Sequence, residues 1–202
     1  MDVPNWWLGD VSRETLDKLQ AYANLIRKWS PKINLVAKST LPDLEQRHIW
    51  DSAQVFRPHD GLWADFGSGG GLPGVVIAIL AQAHGLGTRI TLIESDQRKA
   101  TFLRTCSREL SVPINVVPER IEDVSPLLAE TLSARALAPL DDLLAHAERH
   151  LAQAGQCYFQ KGAQWREEVS LAKQNWRFSC ETIQSKTNDE AVILKIKDIT
   201  RV

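Results

Sequence analysis

Apolar residues recur along the chain at two spacings, one helical and one extended. Leu16, Leu19, Ala23 and Ile26 form a helical stripe within residues 12–30. Ser12 is placed to cap that helix, Glu14 falls in its first turn, and Pro31 is expected to stop it. Thr40 offers a second cap, with Asp43 three residues on, and predicts a helix to about residue 57. Residues 62–66 then read as a short strand, and the apolar run 75–81 as a helix. Residues 89–94 form a second strand, and Asp96 caps a helix to Leu110 that buries Phe102, Leu103 and Cys106. Residues 114–117 and 132–136 give two more strands. A helix over 139–152 carries Leu140, Leu143, Leu144, Ala147 and Leu151 and is expected to end at Gly155. Residues 156–162 make a fifth strand, and a helix follows over 165–173. The runs 178–183 and 191–199 are strands joined by a polar turn, too short for anything but antiparallel pairing.

Five alternating units followed by an antiparallel pair predict an α/β fold: a seven-stranded mixed sheet with helices on both faces. A dinucleotide-dependent dehydrogenase would continue with a second parallel half instead. With 202 residues, 44% of them hydrophobic, one core is expected. Residues 59–202 read as its body and 1–58 as a helical extension packed on it.

The stretch 62–74 is the organising element. Its strand turns through Gly67, Ser68, Gly69, Gly70 and Gly71 into Leu72-Pro73-Gly74 and the next helix. Gly69, Gly71 and Gly74 match G-x-G-x-x-G; Asp65 with Gly67, Gly69 and Gly71 matches [DE]-x-G-x-G-x-G. Glycine leaves the backbone open to a ligand, so the turn is a candidate cofactor cradle. Glu94 ends the second strand about 20 residues on, the usual place for an acid that accepts from ribose hydroxyls. A solvated strand-end acid is the plainer alternative. Ile121 and Glu122 follow the third strand and Arg135 ends the fourth, so both groups fall at the sheet edge where ligands bind in open α/β folds. Arg135 requires an anion, whether a ligand carboxylate, a phosphate or a neighbouring acid. Lys161 ends the fifth strand at the same edge.

Net charge is −1, which excludes a globally basic nucleic-acid binder. Residues 27–47 nevertheless hold five basic residues (Arg27, Lys28, Lys32, Lys38, Arg47) against Asp43 and Glu45. Arg47, His48 and Asp51 share one face of the expected helix. They form either a polar site for ligand or substrate, or a cluster that ties helix to core. No second histidine stands at ligand spacing, so no metal site is expected. Cys106, Cys157 and Cys180 are widely spaced and read as reduced, buried thiols of a cytosolic protein. Residues 1–5 do not read as a signal peptide, and no apolar run is long enough for a membrane span.

Taken jointly, Lys28-Trp29 with Ile33-Asn34-Leu35, Arg47-His48-Ile49-Trp50-Asp51-Ser52, the 65–74 stretch, Arg98-Lys99-Ala100-Thr101-Phe102-Leu103, Ala134-Arg135-Ala136 and Lys161-Gly162 carry a resemblance. From about Leu25 onward the chain resembles the bacterial small-subunit rRNA guanine-N7 methyltransferases, also called glucose-inhibited division protein B. It departs mildly from them in Glu94-Ser95 for Asp-Ser, Arg98-Lys99 for Lys-Arg, and Ala134 for serine. The resemblance implies a Rossmann-like methyltransferase fold and S-adenosylmethionine (SAM) as methyl donor. It implies contacts to SAM from Gly67, Leu72, Ile121, Glu122 and Arg135, and 16S rRNA or a small-subunit ribonucleoprotein as partner. Arg47, His48 and Lys161 are the candidate substrate residues, and Arg135 the candidate positioning residue, with no general base. Two other functions fit the same residues: a small-molecule SAM methyltransferase and a non-catalytic nucleotide-binding module.

Overall fold

The computed structural model describes residues 1–7 and 11–202. Helix α1 (Arg13–Ile33) begins where Ser12 accepts a hydrogen bond from the Thr15 amide at 3.1 Å. It buries Leu19, Tyr22, Ala23 and Ile26. Pro31 does not stop it. The proline sits in the last turn, where its missing N–H removes one bond only. The helix ends at Asn34, in the left-handed conformation at φ 51°.

The single helix expected from Thr40 to about residue 57 is instead three short pieces. A 3-10 helix covers Lys38–Asp43, a π-helix Glu45–Trp50, and α2 Asp51–Ala53. Pro42 lies within the 3-10 piece and has no N–H to donate, and the backbone stays helical through Leu44 into the π piece. Thr40 is therefore no N-cap; its hydroxyl donates to the Ala37 carbonyl at 2.7 Å.

The remaining elements are β1 (Gly61–Phe66), α3 (Gly74–Ala83), β2 (Thr88–Ile93), α4 (Gln97–Glu109), β3 (Ile114–Val117), β4 (Ala129–Arg135), α5 (Leu140–His150), β5 (Leu151–Lys161), α6 (Trp165–Ala172), β6 (Trp176–Gln184) and β7 (Val192–Arg201). They build one seven-stranded sheet in the order β3-β2-β1-β4-β5-β7-β6. The first five are parallel, and β7 lies antiparallel between β5 and β6. Gly155 does not end α5. The chain passes from His150 straight into β5, and Gly155 lies within that strand. A Cβ there would come within 2.9 Å of the Ala129 carbonyl, beside an irregularity in the β4–β5 register.

Two apolar layers cover the sheet. One joins α1, α3 and α4 through Leu19, Tyr22, Ile26, Val75, Ile79, Phe102 and Leu103. The other joins α5 and α6 through Leu140, Leu144, Ala147 and Ala172 to Phe66, Leu132 and Phe159. Cys106 and Cys157 are buried, but Cys180 is exposed, because it lies on the edge strand β6. Among the described residues no helix is long and apolar enough to cross a membrane.

This topology sets the position of the site. The chain runs outward from β1 through β2 to β3, then returns to place β4 on the other flank of β1. At that switch point the connections leaving β1 and β4 part to opposite sides and leave a crevice at the strands' carboxyl ends.

Candidate active site

The glycine turn occupies that crevice and is tied at several points. Gly69 adopts φ 54° and donates its N–H to Glu94 Oε2 at 2.7 Å. Glu94 Oε1 accepts from the Asp96 amide at 2.8 Å. Glu94 is 8% exposed, so it is a buried acid that grips the turn rather than a solvated one. On the other side, the Tyr22 hydroxyl of α1 donates to the Gly70 carbonyl at 2.5 Å.

A cavity of about 640 Å³ opens over this turn, with Gly67, Gly69, Ile93, Glu94, Ile121, Glu122, Leu137 and His146 among its lining residues. The turn's other members lie beneath it. The Ser68 hydroxyl donates to the Asp65 carbonyl at 3.0 Å, and Leu72 is buried in the core. A Cβ at Gly71 would meet Val75, Tyr22 and Leu103. Ser68, Gly71 and Leu72 therefore shape the turn from below and do not line the cavity.

Arg135 and Lys161 face a second cavity, of about 1020 Å³, which Arg47 and Asp51 also line. The two cavities share Ala136, Leu137 and Ala138, the segment that follows β4. Leu137 leans over Gly67, where a Cβ would collide with its side chain. Ala136 adopts φ 51° to make the turn.

The anion for Arg135 is a neighbouring acid. Its Nη1 donates to Asp51 Oδ2 at 3.4 Å and to His48 Nδ1 at 3.0 Å. Arginine has no acceptor, so Nδ1 must offer its lone pair and the ring hydrogen must sit on Nε2. His48 Nε2 then donates to Thr40 Oγ1 at 2.7 Å, and Thr40 passes its own hydrogen to Ala37. The relay is complete only with neutral His48. Burial, then Arg135 and Arg47, push that ring down to about 4. Asp51 is the hub: it also accepts from Gln160 at 2.7 Å, Gln54 at 2.8 Å and Thr187 at 2.6 Å. His48 lies in the π turn and Asp51 directly follows it, and both reach Arg135. Lys161, 8% exposed, is paired with Glu168 at 2.6 Å and with the Ala138 carbonyl at 2.7 Å. Of the basic run, Arg27 is paired with Glu45 at 2.6 Å, while Arg47 remains exposed.

Asp65, fully buried at the end of β1, accepts from Ser133 at 2.6 Å through Oδ1. Its Oδ2 lies beside the Gly74 amide without a well-formed bond. Burial pushes this carboxyl up to about 6, against the opposing pull of Ser133, Ser68 and the Gly74 amide. Asp65 and His48 bias stability in opposite directions. Folded Asp65 holds its proton more tightly than the unfolded chain, so its contribution falls as pH rises from about 4 to about 6. Folded His48 resists a proton that the unfolded chain accepts, so its contribution grows with pH over about 4 to 6.5. Urea unfolding at several pH values checks this. Relative to wild type, Asp65→Asn is expected to gain stability with rising pH, and His48→Gln to lose it. Equal slopes in the two variants would refute the assignment.

The family model described as GidB, rRNA small subunit methyltransferase G, matches residues 15–193. The chain is 53% identical over 195 residues to the ribosomal RNA small subunit methyltransferase G of Ruegeria sp. (strain TM1040), covering 96% of this chain and 95% of that protein. It is 50% identical over 204 residues to the same-named protein of Ruegeria pomeroyi, with 100% of both covered. The chain belongs to the rRNA small subunit methyltransferase G family. Beyond the family, it resembles the solved structure of ribosomal protein L11 methylase from Lactobacillus delbrueckii subsp. bulgaricus, with TM-score 0.56 and 18% identity over 74% of this chain and 75% of that one. It also resembles precorrin-6y C5,15-methyltransferase from Geobacter metallireducens, with TM-score 0.54 and 14% identity over 81% and 90%. These two likenesses show the fold.

In this member of the family, several residues join the site without a sequence signal. Tyr22 falls within the first helix but outside the apolar stripe read there, yet it holds the glycine turn. Leu137 and His146 line the cavity over the glycine turn from a loop and a helix that carry no motif. Thr187 reaches Asp51 from the turn between β6 and β7.

Proposed function

We propose that this chain transfers a methyl group from SAM to N7 of a guanine in 16S rRNA, free or within a small-subunit ribonucleoprotein. The observation that carries the reading is the pair of cavities meeting along Ala136-Leu137-Ala138. One is built on the glycine turn and the other is lined by Arg47, Arg135 and Lys161. The first suits SAM: Glu94 offers a carboxylate to hydroxyls, and Gly67 and Gly69 leave the turn bare. When bound, SAM supplies a methyl group already activated by its sulfonium. Guanine N7 carries a free lone pair, so no side chain need remove a proton before attack. The protein's task is then to position the two partners and stabilise charge.

In this reading residues 1–58 serve the 59–202 core as a brace, through Tyr22 on the turn and Asp51 on Arg135. N7 lies on the major-groove edge, so the RNA must present the base unstacked or otherwise open. Labelled methyl transfer to rRNA from cells lacking this protein, followed by mapping of the modified base, is the test. Methylation of one guanine at N7 is expected. Transfer only to small molecules, or no transfer, would refute the proposal.

Glu94 offers a narrower check. Glu94→Gln is expected to weaken SAM binding by about 1–3 kcal/mol, the scale of a hydrogen bond to a charged group. The change also sets an NH₂ group against either the Gly69 or the Asp96 amide. An unchanged affinity by calorimetry would leave Glu94 a purely structural acid.

A further inference from the structure

Three residues at the end of α5 converge on one short turn. The Ile121–Asp123 3-10 turn follows β3, and Ile121 and Glu122 line the cofactor-side cavity. His150 Nε2 lies 3.1 Å from the Ile121 carbonyl. Arg149 donates to the Val124 carbonyl through Nη2 at 3.1 Å. His146 Nε2 approaches Glu122 Oε1 at 4.0 Å. Helix α5 thus holds the turn through these three side chains, of which His146 also lines the cavity while Arg149 and His150 do not.

His150 is an odd choice for a purely structural position. It is fully buried, and because a carbonyl only accepts, its hydrogen must sit on Nε2. That leaves Nδ1 buried with no partner, a cost that an aliphatic side chain would avoid. Among the described residues, the bond to Ile121 is the ring's one polar contact. The ring also packs edge-on against Phe66, 5.5 Å away between centroids, immediately before Gly67. One side chain therefore touches both the residue that precedes Gly67 and the carbonyl of Ile121, and Gly67 and Ile121 both line the cavity.

We propose that His150 and Arg149 position the Ile121–Asp123 turn so that it selects a 6-amino purine over a 6-oxo purine in the cofactor. The inference rests on the reading above, in which the adenosine of SAM lies in this cavity. Adenine and hypoxanthine have nearly the same shape but opposite hydrogen-bond patterns at positions 1 and 6. A backbone segment that reads that edge discriminates only while it is held in place, since its donors and acceptors are otherwise free to shift. His150 and Arg149 are positioning residues: they act through the turn and do not line the cavity.

The test is a ratio of affinities, measured by calorimetry with S-adenosylhomocysteine and S-inosylhomocysteine. Both ligands meet the same folded molecules, so a partly unfolded preparation does not move the ratio. Wild type is expected to prefer the adenosyl compound strongly. His150→Phe keeps the ring and loses the donor, and should cut the preference by about tenfold. His150→Gln keeps a donor near the Nε2 position and should retain most of it. Arg149→Met, at an exposed residue, should lower the preference by a smaller factor and decides the matter if His150→Phe does not fold. An unchanged preference in His150→Phe, or in Arg149→Met when that variant stands alone, overturns the inference and leaves the adenosine reading intact. A wild-type protein that binds neither compound, or both equally, overturns that reading and the inference with it.

Discussion

Replacing Gly69 by valine is expected to reduce SAM affinity more than tenfold, while the protein still folds. Gly69 sits at φ 54°, a conformation that β-branched residues rarely adopt and that costs about 1–3 kcal/mol. Within the protein there is room for the change. A Cβ at this position meets only the Gly67 carbonyl, at an ordinary 3.7 Å. The penalty therefore falls on the shape of the turn and on the cavity it lines, not on the core. Relaxing the backbone would pull the Gly69 amide away from Glu94, and the two proposed cofactor contacts would fail together. Calorimetry with SAM, alongside a thermal melt, checks both halves. A folded Gly69→Val protein that binds like wild type would move the cofactor elsewhere.

Arg135→Ala should lower methyl transfer about 100-fold, the scale for losing a fixed charge at a reacting centre. The structure adds a second expectation. Arg135 is 18% exposed and paired, so its loss removes one of several bonds to Asp51, with Gln54, Gln160 and Thr187 remaining. Stability should fall by only about 1–2 kcal/mol. Removing the guanidinium also lifts one of the forces that depress His48, so its ring should titrate higher by NMR. Lysine should rescue only in part, because an ammonium cannot reproduce the planar fork. Turnover and melting temperature measured on one preparation separate the roles. Normal turnover with reduced stability would make Arg135 a brace for Asp51 and nothing more.

The parts legible in the sequence were those whose signal is local. Four glycines after an acid, an apolar run on either side, and Glu94 at the next strand end fix the first three elements of the crevice with little ambiguity. The antiparallel pair was legible because its turn is too short for any crossover. What escaped were features set by partners far along the chain. Arg47, His48 and Asp51 have the same spacing whether the turn is α or π, so the sequence left open what the group does. Contacts across 84 and 136 positions show it joining Arg135 and Thr187. Pro31 and Gly155 misled for a related reason. Each residue usually breaks a helix, but one falls where a single bond is lost and the other where a neighbouring backbone needs space.

The place of β7 has a consequence for synthesis. Among the described strands β6 pairs with β7 alone, and β7 fills the gap beside β5 although it is made after both. While the ribosome is still adding residues 192–201, β6 has no strand to bind. The edge of β5 at Cys157–Lys161 meanwhile stands open to any extended segment nearby. A nascent chain halted before Val192 would thus lack two strands rather than one. Its open, apolar β5 edge would make it a target for chaperones or for pairing with a second unfinished chain.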